Sequence, residues 1–249
     1  MHPTSTASNP LFDRDFLLAT MMGPNCVRFA EELTANIPLS PNMRVLDLGC
    51  GMGLSSIYLA RTFGVRVFAV DLWINPSDNF ARFRDFGLED AIIPLRAEGH
   101  ALPFAEGYFD AVICIDAYHS FGCAPEYLDA HIVPLVKPGG FIAAAIPGLR
   151  QEFTGDIPDE LRPYWQEDIN FHSAGWWAEL WKQCTRAALR DAFSLRSHKA
   201  AWEDWLQCDN PYAQRDAGMM EKAGWRYFDS IGIIATVSPA ACSEPYLLL

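Results

Sequence analysis

The sequence predicts an α/β fold built on a parallel sheet, and three observations carry that reading. From Met43 to Ile146, apolar runs that read as strands alternate with amphipathic stretches, the pattern of successive βαβ units. The first run, Val45-Leu46-Asp47-Leu48, opens directly into Gly49-Cys50-Gly51-Met52-Gly53, a turn with glycine at alternate positions. The second, from Val65 to Asp71, becomes a continuous apolar run ending in an acid, as expected of a parallel strand buried on both faces.

Taken in order, residues 1–10 are rich in Ser, Thr, Asn and Pro and read as a flexible N-terminus. Residues 11–42 read as a helical cap. Within it, Pro24 to Ile37 form a helix with Pro24 in its first turn and Phe29, Leu33 and Ile37 on one stripe. Strands are expected near 43–48, 65–71, 91–96, 109–116 and 140–147, with helices near 53–63, 77–87 and 124–135. Periodicity fades after Pro147, so 148–185 reads as an insertion or lid region, irregular as far as residue 172. A helix from Ser173 to Cys184 follows, with Ser173 as its N-cap. The chain then gives a strand near 187–196, two short helices around 200–223 and a strand near 225–238. Nothing resembling a linker or repeat divides 11–249, so one domain is expected.

Composition narrows the partners. The chain has 249 residues, half of them hydrophobic and a fifth charged, enough for one α/β domain with a sizeable core. Its formal net charge of −12, with no basic run, opposes nucleic acid and anionic membrane surfaces. Small molecules that are neutral, apolar or cationic are the favoured partners. No apolar stretch approaches the ~20 residues needed to cross a bilayer, and no secretory leader is recognisable, so a cytoplasmic location without membrane insertion is expected. Seven scattered cysteines show neither C-x-x-C pairs nor zinc spacing, which suits reduced thiols and no metal site.

A strand, a glycine turn and a helix N-terminus form a cradle for a nucleotide-like ligand. A dinucleotide fingerprint would place its third glycine at position 54, which is Leu54; the third glycine comes early, at Gly53. Asp47, just ahead of the turn, would repel a pyrophosphate but suits a ligand with an amino group and no phosphate in its linker. S-adenosylmethionine (SAM) is such a ligand. Asp71, 24 positions after Asp47, falls where a doubly wound fold sets a carboxylate on ribose hydroxyls, the plainer alternative being a helix cap or strand end.

Two further blocks follow: Leu102-Pro103-Phe104 leading to Phe109-Asp110, and Leu135-Val136-Lys137-Pro138-Gly139-Gly140. Together with the glycine turn and the acid-ended second strand, they make the chain resemble the class I SAM-dependent methyltransferases, strongly over about 43–147. Met22-Gly23-Pro24-Asn25, Ile115-Asp116-Ala117-Tyr118-His119 and Phe171-His172-Ser173-Ala174-Gly175-Trp176-Trp177 look like a small-molecule group within that class, methyltransferase type 11. That group is described as similar to ubiquinone-biosynthesis and cyclopropane-fatty-acid enzymes.

The resemblance implies a Rossmann-like, mostly parallel seven-stranded sheet with helices on both faces and an antiparallel last strand. It implies SAM as cofactor and a small-molecule methyl acceptor of unknown identity. By the same resemblance Asp47 engages the methionine amino group, directly or through water. Gly49, Cys50, Gly51 and Gly53 form the loop beside the methionyl and ribosyl part, Cys50 as a small residue the turn tolerates. Asp71 takes the ribose, Leu72 flanks adenine, Glu98 receives its exocyclic amine and Gly99 offers an N–H to the ring. Glu98 departs from the Asp more frequent there. The carbonyls of Asp116 and Ala117 face the methionyl amine, while Tyr118 and His119 point toward the acceptor.

His119 is the candidate base for an OH, SH or ammonium acceptor, against a plain pocket-shaping role. His172 and Trp176 are candidates to close over the acceptor, by cation–π contact if it is cationic; the other late tryptophans read mostly as packing. Three other functions compete: a cyclopropane-synthase-like enzyme acting on lipid, a non-catalytic SAM-binding regulatory module, and a NAD-linked oxidoreductase disfavoured by Leu54. Monomer and homodimer both stay open.

Overall fold

The structure is a computed structural model describing residues 11–166 and 169–239. Seven strands are hydrogen-bonded in the order β3-β2-β1-β4-β5-β7-β6. They are β1 (Arg44–Leu48), β2 (Arg66–Asp71), β3 (Ile92–Arg96), β4 (Phe109–Ile115), β5 (Val136–Leu149), β6 (Ala187–Ser194) and β7 (Phe228–Val237). The β1–β5 pairings are all parallel, whereas β7 runs antiparallel to both β5 and β6. The chain steps outward from β1 to β3, then returns to lay β4 on the other side of β1. The two C-terminal ends of β1 and β4 therefore flank the point where the winding reverses, the place where open α/β sheets bind ligands.

Alternation along each strand sends side chains into two separate cores. Val45, Val67, Ala111, Ile113 and Ala143 pack on one face with helices α2 (Cys26–Thr34), α3 (Leu54–Phe63), α4 (Pro76–Asp85), α6 (His198–Trp205) and α7 (Pro211–Met219). Leu46, Phe68, Val112, Ile142 and Ala144 pack on the other, under α5 (Ala174–Trp181) and the turns that precede β5. A short helix, α1 (Arg14–Thr20), completes the N-terminal cap. The expected flexible stretch 1–10 lies outside the described residues.

Three expectations are corrected in detail. Helix α2 starts at Cys26, with the Asn25 side chain accepting from Val27 N at 3.1 Å, so Pro24 precedes the cap instead of sitting in the first turn. Its stripe of Phe29 and Leu33 is nonetheless buried, and Ile37 continues it past the helix end. The segment expected as a helix over 124–135 is a π-turn at Leu128–Ile132 followed by a 3-10 turn at Val133–Leu135. Pro134 lacks an N–H and its ring obstructs a regular α-turn there. Strand β5 begins earlier than expected, at Val136. Its register shifts between Phe109 and Ala111 on β4, opposite the Lys137–Gly140 bulge where Gly139 takes φ 80°. Ser173 caps α5 as expected, accepting from Trp176 N at 3.3 Å.

Candidate active site

A cavity of about 520 Å³ opens at the carboxyl ends of β1 to β5. The turn after β1 makes its floor. Gly49 has φ 75°, and a Cβ there would fall 2.3 Å from that of Ala117, so the turn and the end of β4 touch only because position 49 is glycine. The Gly49 and Cys50 amides donate to the Val70 carbonyl at 2.8 and 3.1 Å, fastening the turn to β2. Asn79 of α4, itself buried, donates to the Gly51 carbonyl at 2.9 Å. Gly53 supplies the left-handed N-cap of α3, where a Cβ would fall 2.5 Å from the Phe83 ring.

Asp47 stands one layer behind this wall. Fully buried, it accepts the hydroxyls of Ser55 and Ser56 at 2.7 and 2.5 Å on one oxygen, while its other oxygen has no partner among the described residues. Burial pushes its carboxyl up to about 6, with the charge of Asp71 adding to the shift and the serine hydroxyls opposing it. Ser55 lines the cavity and Asp47 does not. Of the two contacts expected with an amino group, the geometry leaves the indirect one. Gly53 likewise shapes the turn from outside the wall.

Asp71 is on the wall but already engaged. Its carboxylate accepts from the amides of Gly51, Trp73 and Ile74 at 2.8, 2.8 and 3.0 Å. A carboxylate offers about four acceptor positions. The plain structural role is therefore present in full, beside roughly one position left for a diol. Leu72 and Trp73 project at the rim, 42% and 75% exposed, and supply an apolar edge. Glu98 pairs with His100 at 2.7 Å, both on the wall. Gly99 lies between them, its carbonyl held by the Tyr127 hydroxyl at 2.9 Å.

Asp116, Ala117 and His119 line the other half of the cavity. The His119 carbonyl accepts from Asn170 at 3.2 Å, and its ring lies 5.8 Å from that of Phe171. Its Nδ1 is buried without a partner among the described residues, and desolvation pulls the imidazole down to about 4. The ring is therefore neutral at pH 7 and can accept a hydrogen bond or a proton.

Tyr118 does not point toward this space. It is 2% exposed and packs against Trp177 and Trp181, with ring centroids 5.8 and 5.3 Å away. The tight 3-10 turn at Tyr118–Ser120 throws neighbouring side chains to different sides, and the ring fits because a Cβ at Gly122 would meet it at 2.2 Å.

His172 and Trp176 also lie off the cavity wall. Their rings stack on each other at 3.7 Å, and Glu152 binds both His172 Nδ1 and the Ser173 amide, at 3.1 and 2.6 Å. The aromatic surface expected to close over an acceptor is thus spent on anchoring the start of α5, and neighbouring Phe171 reaches the wall instead.

Met22, Gly23, Trp202 and Asp216 are among the wall residues not expected from the sequence. The segment 20–24 crosses the cavity as a strap, with Met22 Sδ 3.1 Å from where a Gly51 Cβ would be. Asp204 of α6 ties the strap down, accepting from Asn25 at 2.8 Å and Arg28 at 2.6 Å. The Met22–Asn25 block was the visible signal for the strap; Trp202 and Asp216 sit on short helices and carry none. Among the described residues, no three His, Cys, Asp or Glu side chains gather to hold a metal ion.

The strand order and the cavity at its reversal point are those of a Rossmann-like fold that receives a nucleotide-like ligand. Residues 46–144 match the family model described as Methyltransferase domain. The chain is 29% identical to a glycine/sarcosine/dimethylglycine N-methyltransferase of Actinopolyspora halophila over 139 residues, 54% of this chain and 24% of that protein. It thus spans about a quarter of that relative's length. A geranyl diphosphate C-methyltransferase from Streptomyces coelicolor, solved with S-adenosyl-L-homocysteine, superposes with a TM-score of 0.69 at 19% identity, covering 84% of this chain and 77% of that one. Phosphoethanolamine N-methyltransferase 2 of Haemonchus contortus, solved with SAM, gives 0.68 at 17% identity, covering 96% and 61%. At those identities the likeness is one of fold.

Proposed function

We propose that the protein is a SAM-dependent methyltransferase acting on a small molecule. The observation that carries this reading is the cavity at the reversal point of the sheet, floored by the Gly49–Gly53 turn inside the family-matched stretch. The residues present suit the nucleoside. Asp71 stands at the end of β2 with acceptor capacity left, Leu72 and Trp73 offer a flat apolar edge, and Ser55 on the wall donates its hydroxyl to Asp47 behind it.

When bound, SAM supplies an electrophilic methyl carbon on a sulfonium that leaves as a neutral thioether. This chain's residues then have to bind, orient and exclude water, and such orientation can supply as much as ~7–11 kcal/mol of a barrier. The strap over the turn and Phe171 favour dehydration of the acceptor. His119, neutral and on the wall, is the residue we assign to orient the acceptor or take its proton. Free thiols at the six described cysteines fit a cytoplasmic setting.

Titration calorimetry tests the assignment. SAM and S-adenosylhomocysteine are expected to bind in the micromolar range, about −8 kcal/mol, and NAD not at all. Heat with NAD alone would sink the reading. His119→Ala is expected to lower turnover while leaving cofactor affinity within twofold; unchanged turnover would remove His119 from the chemistry.

A further inference from the structure

Resting on the methyltransferase reading above, we propose that the methyl acceptor is an amine, cationic when free and without an acidic group, held between the carboxylates of Asp116 and Asp216. Both residues line the cavity, one at the end of β4 and the other on α7. Asp216 accepts the Trp205 indole N–H on Oδ2 at 2.9 Å. Its other oxygen, and both oxygens of Asp116, accept no hydrogen bond from the described residues.

The two carboxyls lie close enough to affect one another. Burial raises both, against the Trp205 N–H and the Arg215 charge at Asp216, and the charge of Asp216 raises Asp116 further, to about 7. Arg215 acts on Asp216 from off the wall, so on the cavity side the two part-buried carboxylates leave a counter-ion position for a ligand to fill.

The rest of the wall agrees. Among the described residues, no lysine or arginine lines the cavity. An acceptor bearing a carboxylate or phosphate would therefore meet two negative charges and nothing to neutralise its own. Trp202 is 3% exposed and forms the wall nearby, with an indole N–H that has no partner among the described residues. Trp202 and Phe171 add aromatic surface of the kind that attracts ammonium groups. Asp116 also holds φ 58°, a conformation that residues with side chains rarely adopt. The strap approaches it so closely that a Cβ at Gly23 would fall 2.1 Å from its Oδ2. The overall charge of −12 draws cations toward the molecule.

In the step this implies, the bound ammonium gives one proton to the Asp116 carboxylate. The freed nitrogen lone pair forms the new N–C bond as the C–S bond of SAM breaks, and the pair from that bond stays on sulfur. The product is a methylammonium ion, and Asp116 returns its proton to solvent after release.

The test uses three probes of one shape on the protein saturated with S-adenosylhomocysteine: phenylethylamine, phenylethanol and phenylpropionate, followed by calorimetry. The amine is expected to bind at least tenfold more tightly than the other two. Asp216→Asn, which keeps an acceptor for Trp205, should weaken the amine at least tenfold while S-adenosylhomocysteine affinity stays within twofold; Asp116→Asn serves as the second variant. Equal binding of the three probes, preference for the acid, or amine affinity indifferent to both variants would overturn the proposal. If S-adenosylhomocysteine itself does not bind, the cofactor reading fails separately, and the same ranking is then required of the protein alone.

Discussion

The two halves of the cavity are built in opposite ways. The half around Gly49–Gly53 and Asp71 comes from one βαβ unit of under thirty residues, and nearly every polar group in it is engaged: the Asp71 carboxylate by three amides, the turn by Val70 and Asn79. The half around Asp116 gathers the strap at 20–24, the turn after β4, Phe171 and two late helices, and it leaves several groups without partners. A surface completed by its own backbone is suited to one invariant ligand, whereas one with unmet polar groups is selective for whatever meets them.

This contrast can be broken most sharply at Gly49. Gly49→Val places a branched side chain at positive φ and against Ala117. The backbone alone costs about 1–3 kcal/mol, and the overlap adds to that. Cofactor affinity is expected to fall at least a hundredfold with a lower Tm; calorimetry and thermal melts report both, and near-native binding would show the turn to be less constrained than its contacts indicate.

A smaller effect is expected at Asp47, with pH as the readout. Its folded carboxyl, raised to about 6, is a liability above that pH and gains stability as pH falls toward the unfolded value near 4. The neutral imidazoles of His119 and His198, both lowered to about 4, work the other way, because the unfolded chain takes up protons below about 6.5 while the folded one does not. Asp47→Asn removes the first contribution and leaves the second. The variant should be more stable than the parent at pH 7 by roughly 1–3 kcal/mol, and should lose stability more steeply between pH 6.5 and 4.5. Denaturant titrations at several pH values decide; parallel pH profiles would show Asp47 to be unperturbed. Least of all is expected from Trp176→Ala. Its stacking with His172 lies off the cavity, so affinity for S-adenosylhomocysteine and turnover should both stay within twofold, and a large loss of turnover would restore it to the acceptor side.

What the sequence disclosed follows the same division. Sheet, strand ends and glycine turn were legible because periodicity of two, glycine spacing and acid-ended strands are local signals. Asp47 was correctly placed at the end of β1, but its burial behind Ser55 depends on how α3 docks, which spacing does not encode. Tyr118 and His119 are adjacent in the chain and diverge in space because the 3-10 turn that contains both sends their side chains to different sides. Trp202 and Asp216 were invisible as site residues, since their relation to Asp116 exists only once α6 and α7 fold back across the sheet. Trp176 lies off the wall for the complementary reason: an aromatic near an insertion looked available, but His172, itself held by Glu152, stacks on it.

Asp204 carries a wider consequence. By tethering Asn25 and Arg28, it couples the threshold of the chamber to the same short stretch of chain that bears Trp202 and Asp216. Substitutions confined to 198–219 would retune admission and recognition in concert, leaving the nucleoside berth untouched. Diversification of such a scaffold toward new metabolites has, in that stretch, a single address.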